Sequence, residues 1–219
     1  MNQTTKRLVG TIIVLLPVLF LVSVWVMMTP LSARFTDLQT SLLSLGRISG
    51  LIGLALYSIS LVLHVRITFL KKLLLDGAYI CKLHHNLGSW ALVLLLIHPI
   101  ALALRFALND LYYAAKFLVP TDNLVNLAGF LALMIMIAAM LVTFYLKKNH
   151  KLWLWVHRSM LIAYLGSFLH LLFVINDTSS NPLLKYYLLS LMLAGILAFS
   201  YQRLSRYSSK AGSTAEVCE

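Results

Sequence analysis

Four histidines form two widely spaced pairs, each inside an apolar stretch. His84 and His98 stand fourteen residues apart in HHNLGSWALVLLLIHP, and His157 and His170 stand thirteen apart in HRSMLIAYLGSFLH. An imidazole is costly to place in hydrocarbon, so a histidine within a membrane segment is a functional candidate by default. At 1.5 Å per helical residue either spacing covers roughly 20 Å. Two helices carrying such pairs side by side would set four imidazoles on two levels, one from each helix per level. Side chains on facing helices are how bundles build cofactor sites. Two levels of paired imidazoles suit two haem groups stacked across a bilayer, which would make the chain an electron conduit.

The helices that must carry these residues follow from composition. Of 219 residues, 60% are hydrophobic and only 11% are charged, with a mean hydropathy of +0.86. A soluble domain carries about 25% charged residues. The apolar residues fall in blocks of about twenty, the length that crosses a bilayer as a helix. Backbone groups in lipid must bond internally, so these blocks are helices and not open strands. The pattern predicts spans near 8–28, 46–66, 84–106, 123–146, 152–175 and 183–203. Turn or polar signals separate them: TPLSARFTD, KKLLLDGAY, NDLYYAAKFLVPTD, KKNHK and NDTSSNP. The expected fold is an all-α integral membrane bundle of six transmembrane helices that binds haem. Residues 1–45 form a first helix and outer loop, 46–203 the bundle domain, and 204–219 a polar tail. The N-terminal segment reads as a retained helix and not a cleaved signal.

The eighteen cations divide unevenly between the two sides. Thirteen fall on the side of the termini, among them Lys6, Arg7, Lys71, Lys72, Lys82, Lys147, Lys148 and Arg158. Five fall opposite: Arg34, Arg47, Arg105, Lys116 and Lys185. The positive-inside rule then places both termini in the cytoplasm. The net charge of +11 therefore reports membrane topology, and no nucleic-acid partner is expected. In this topology the third and fifth spans run from the cytoplasm outward. His84 and His157 lie near the inner face, and His98 and His170 lie deeper, toward the outer face.

Helical phase refines the picture. Fourteen residues turn about 1400°, within about 40° of whole turns, so His84 and His98 share a face. Thirteen residues leave His157 and His170 about 140° out of phase, which needs a distorted helix or approach from different edges. His85 in place of His84 would give the third span the same awkward step, so His84 is preferred. Gly88 follows His84 by four residues and Gly166 precedes His170 by four. Each would let a flat macrocycle approach the helix, or simply let two helices pack closely. Pro99 removes one backbone donor just after His98. Lys82 and Arg158 flank the inner level and suit haem propionates or an ordinary membrane boundary, and Arg47 has the same two readings at the outer level. His64 closes the second span near the inner level and ranks below the four as a ligand. His150 belongs to the KKNHK loop. Trp153, Trp155, Tyr112 and Tyr113 read as interfacial anchors. Cys81 and Cys218 show no metal-type spacing and are not expected to pair.

The stretches GRISGLIGLALYSISLVLHVR, DGAYICKLHHNLGSWALVLLLIHP and LWLWVHRSMLIAYLGSFLH resemble the ferric-reductase-like transmembrane domain. That family includes ferric reductases, NADPH oxidases and the haem-binding membrane subunit of the bacterial periplasmic methionine-sulfoxide reductase system. The resemblance covers about 46–200. It implies two b-type haems, with His84 and His157 as inner and His98 and His170 as outer axial ligands of the iron. The spacing of fourteen and thirteen also occurs in the family. An integral protein of the bacterial inner (plasma) membrane is implied.

Complete reductases of this kind continue into flavin and nicotinamide domains. No Gly-x-Gly-x-x-Gly fingerprint occurs here, so neither FAD nor FMN is expected to be bound by a domain of this chain. The chain reads as the haem-containing membrane component of an oxidoreductase. It would take electrons on the cytoplasmic side from a separate reductase, flavoprotein or quinol and pass them to an outer acceptor. One alternative is the membrane subunit feeding a periplasmic methionine-sulfoxide reductase. A non-redox alternative is a histidine-based transporter or channel, although no Asp or Glu lies inside a span.

Overall fold

A computed structural model of the chain describes residues 3–64, 77–121, 123–145, 150–173 and 182–208. Among these residues the secondary structure is helical. Six helices are long and apolar enough to cross a membrane. They are α1 (Gln3–Met28), α3 (Leu38–His64), α4 (Gly77–Ala107), α6 (Leu124–Tyr145), α7 (His150–Phe173) and α8 (Pro182–Ser208). Two short helices, α2 (Leu31–Arg34) and α5 (Leu111–Leu118), occupy connections. The KKLLLDGAY, KKNHK and NDTSSNP breaks fall largely outside the described residues, as do most of the polar tail and the His150 side chain.

Six spans stand near the predicted stretches, but α3 starts at Leu38 and not near residue 46, and α4 starts at Gly77 and not near residue 84. Asp37 explains the earlier start of α3. Its carboxylate accepts from the Thr40 backbone N–H at 2.8 Å, satisfying a donor that the first helical turn leaves open. That bond, aided by the Thr40 and Thr36 hydroxyls, holds the Asp37 carboxyl below the usual carboxylate range. The polar sequence of this turn hides it from a hydropathy reading. Helix α5 lies in a stretch read as polar turn. Asp110 caps it by accepting from Tyr112 N at 2.8 Å. Leu111, Tyr112 and Tyr113 are exposed on α5, in keeping with an interfacial anchor.

Helix α3 is the hub. Two-thirds of its span (67%) is buried inside the protein, against 17–22% for each of the other five. Ser44, Gly46, Ser49, Gly50, Gly53, Ala55, Ser58 and Ser60 make much of this helix small, and small residues let helices approach closely in a membrane. Helix α4 packs antiparallel along it, and α7 pairs in the same way with α6. Helix α8 lies against α3, and α1 completes the core through Leu21 and Trp25. Arg34 ties the α1–α3 connection. Its guanidinium sits 3.7 Å over the Trp25 ring and donates to the carbonyls of Trp25 (2.9 Å) and Thr29 (3.2 Å), while its own carbonyl accepts from Ser44 Oγ.

Two tyrosines join the α3–α4 pair to α7. Tyr57 on α3 donates to the Met160 carbonyl on α7 at 2.6 Å. The Tyr164 hydroxyl on α7 lies within hydrogen-bond distance of both Ser58 Oγ (2.8 Å) and the Met192 carbonyl on α8 (3.0 Å). The two rings meet edge-on at 5.0 Å. Tyr164 lies between His157 and His170 in sequence, so this clamp fixes α7 at a depth between the two histidine levels. The expectation that Cys81 and Cys218 do not pair depends on Cys218, which lies outside the described residues.

Candidate functional site

The His98–His170 pair is built by two helix pairs that use one device. His98 on α4 donates Nδ1–H to the Gly46 carbonyl on α3 at 2.7 Å. His170 on α7 donates Nδ1–H to the Val125 carbonyl on α6 at 2.8 Å. A carbonyl only accepts, so each Nδ1 carries the proton and each Nε2 keeps its lone pair for a metal. In both cases a glycine follows the accepting residue by one helical turn and makes room for the ring. A Cβ at Gly50 would stand 2.7 Å from His98 Nδ1, and one at Gly129 would stand 2.9 Å from His170 Nδ1 and Cγ. The two units, α3–α4 and α6–α7, thus repeat a carbonyl and a glycine four residues later, with a histidine seated against them from the next helix.

Both histidines line one cavity of about 500 Å³. Leu54, Leu95, Phe130 and Met136 give it apolar walls, and Arg47 and Arg105 supply two cations. Phe117, Leu118, Val119 and Pro120, at the end of α5 and just beyond it, cover one side. The volume lies within the range of small-molecule and cofactor pockets, about 300–1,000 Å³. A planar, mostly apolar group with anionic side arms and an iron seeking two imidazoles matches these walls, cations and nitrogens. The donor set therefore fits haem.

The His84–His157 pair is assembled differently. His84 Nδ1 lies 2.9 Å from both the carbonyl and the hydroxyl of Ser60 on α3, and Ser60 Oγ donates back to the His84 carbonyl. Ser60 and Gly46 are fourteen residues apart, the same separation as His84 and His98. Antiparallel helices in contact along their length produce that match, and it confirms that His84 and His98 share one face of α4. His157 stacks on Trp153 with rings 5.2 Å apart and 12° from parallel. The His84 and His157 ring centres are 6.3 Å apart. Two imidazoles sharing one metal at about 2 Å per bond need nitrogens ~4 Å apart. Here the ligand atoms of His64, His84 and His157 all lie within 4.8 Å of one another. His85 points outward and is exposed.

The thirteen-residue step in α7 is accommodated by approach to different neighbours. His157 turns to the α3–α4 side, beside His64 and His84, and His170 turns to α6. Other expected residues sit further from the histidines. Gly166 packs on α6, where a Cβ would meet the Ala128 carbonyl and Ala132 Cβ at 3.2 Å, a helix-packing contact. A Cβ at Gly88 would meet only Ser60 Oγ, at 3.5 Å. Neither glycine lines the cavity. Arg158 and Lys82 are exposed beside the His84–His157 level. Trp153 supports a histidine and is not simply a membrane anchor, whereas Trp155 is exposed. Gly46, Gly50, Val125, Gly129 and Ser60 are not marked by type in the sequence, and Arg105 stands out there only as an outer-side cation. The carbonyl-to-glycine step of four residues, met again on α6, is the signal that could have marked Gly46, Gly50, Val125 and Gly129.

One family description, the ferric reductase like transmembrane component, matches residues 49–168. The match takes in His64, His84, His98 and His157 and ends two residues before His170. No curated protein matches the chain, and no solved structure does. The match covers more than half of the sequence and agrees with six membrane-spanning helices and with histidines gathered between them. The chain is an integral membrane protein that belongs to the ferric-reductase-like transmembrane family, whose domain points to electron transfer across a membrane.

Proposed function

We propose that the chain carries electrons across the bacterial inner membrane by means of two b-type haems, each held by two histidines. His84 and His157 hold the inner group, and His98 and His170 hold the outer one. Bound haem supplies one-electron redox chemistry at iron, and two imidazole ligands favour electron transfer over oxygen binding. The protein's part is ligation, burial and orientation. Ser60, Gly46 and Val125 accept the Nδ1 protons and fix the rings, which also makes the ligating nitrogens more basic. Arg47 and Arg105 line the outer cavity and suit propionates there, and Arg158 and Lys82 are placed for the same task at the inner level.

The distribution of cations supports cytoplasmic termini, so the donor meets the His84–His157 level and the acceptor the His98–His170 level. The donor is a separate reductase, flavoprotein or quinol. The observation that carries this reading is the outer pair: two histidines from different helices, each locked on a backbone carbonyl, line one apolar cavity. An absorbance spectrum of the purified protein tests it. The expected result is a low-spin b-type spectrum, with His98→Ala losing about one haem of two. A colourless protein after expression with ample haem would overturn the reading.

A further inference from the structure

Three imidazoles, not two, converge at the inner level. His64 is the last residue of α3 and stands one helical turn beyond Ser60, the residue that anchors His84. Residues four apart share a helix face, so the turn that orients His84 also aims His64 at the same space. The His64 ring centre is 5.2 Å from His84 and 6.0 Å from His157, and His84 is 6.3 Å from His157. His157 faces the other two from α7, steadied by the stack on Trp153. His85 lies 5.3 Å from His84 but is exposed and does not share the cluster of ligand nitrogens. Among the described residues the outer cavity has no such third imidazole, since His98 and His170 are the histidines that line it.

A haem iron offers two axial positions, so one of three converging imidazoles is spare. His64 and His84 come from the packed pair α3–α4 and are the closest two rings, so they are the two that compete for one position facing His157 on α7. We propose that His64 and His84 are alternative partners of His157, so that the inner haem keeps two histidine ligands when either is removed. This rests on the inner level holding haem. An exchange breaks one iron–nitrogen bond and forms another, with no net transfer of electrons or protons. The two arrangements orient the imidazole differently, because the Ser60 oxygens hold His84 and the end of α3 carries His64. They therefore give distinct low-spin signatures.

The test is haem quantitation with low-temperature electron paramagnetic resonance on the full-length protein. His64→Ala, His84→Ala, the double variant and His157→Ala are compared, and the outer haem serves as an internal reporter of correct folding. Each single variant at 64 or 84 should keep two low-spin haems per chain, with shifted g-values in His84→Ala. The double variant and His157→Ala should each lose the inner haem or turn it high-spin. Loss or high-spin conversion of the inner haem in either single variant overturns the proposal. If His157→Ala then loses it too, the two-haem reading still stands. Retention of two low-spin haems in His157→Ala overturns His157 as the shared inner ligand, and with it the proposal, while the count of two haems stands.

Discussion

An alanine at Gly50 tests whether the outer level depends on the close approach of α3 to His98. The new Cβ would stand 2.7 Å from Nδ1 and 3.1 Å from Cγ of that ring. Ordinary contact begins at 3.4 Å, so from 2.7 Å the ring or the helices must give by about 0.7 Å. The yielding group is a ring held on a carbonyl and not the tip of a flexible chain. The Nδ1 bond to the Gly46 carbonyl starts at 2.7 Å, and a retreat of that size carries it beyond good hydrogen-bond geometry. Losing an outer-shell bond to a ligating histidine lowers metal affinity about 10- to 100-fold. The equivalent is about 1.4–2.8 kcal/mol. The assay is haem titration into the haem-depleted protein, with the inner haem as an internal reference. Gly50→Ala should weaken the outer haem by that factor and leave the inner one in place. Gly129→Ala should act in the same way through His170. Gly88→Ala is the control, because its Cβ meets only Ser60 Oγ at 3.5 Å. Unchanged outer affinity in Gly50→Ala, or a larger loss in Gly88→Ala, would refute the cradle argument.

Other outcomes follow from the same contacts. Tyr164→Phe removes the hydroxyl that Ser58 and Met192 share and should lower stability by about 0.5–1.5 kcal/mol, read from thermal unfolding in detergent. Arg34→Ala deletes a buried cation from the Trp25 ring and two carbonyls and should cost about 2 kcal/mol while leaving the haem spectrum unchanged. Because folding depresses the Asp37 carboxyl, its contribution is complete at neutral pH and is lost only as the pH falls below the ordinary carboxylate range. Asp37→Asn should flatten that acid limb in a pH series of unfolding midpoints. His85→Ala should keep both haems at wild-type affinity, read by haem titration.

Much of the architecture is legible in the residues because lipid leaves few choices. Apolar blocks long enough to span must be helices, and their order sets their directions. The four histidines follow from type, depth and spacing. Helix arithmetic on one segment sees only that segment, which is why it singles out Gly88 and Gly166. The glycines that admit the histidine rings, Gly50 and Gly129, belong to the neighbouring helices. Which helix faces which histidine is decided by packing, and α3 becomes the hub through a run of small residues that hydropathy scores as mediocre. The phase conflict between His157 and His170 disappears for the same reason, since each meets a different neighbour. Helix α5 and the early start of α3 depend on single aspartate caps inside polar sequence. His64 is visible in the sequence as the end of a span, but its meeting with His84 and His157 needs three helices at once.

The most direct test of the central claim is the haem-to-chain ratio of the purified protein, measured with the spin state of its ferric form. The account predicts two haems per chain, both low-spin. A protein that binds none, or one whose haem is high-spin at both levels, would contradict it.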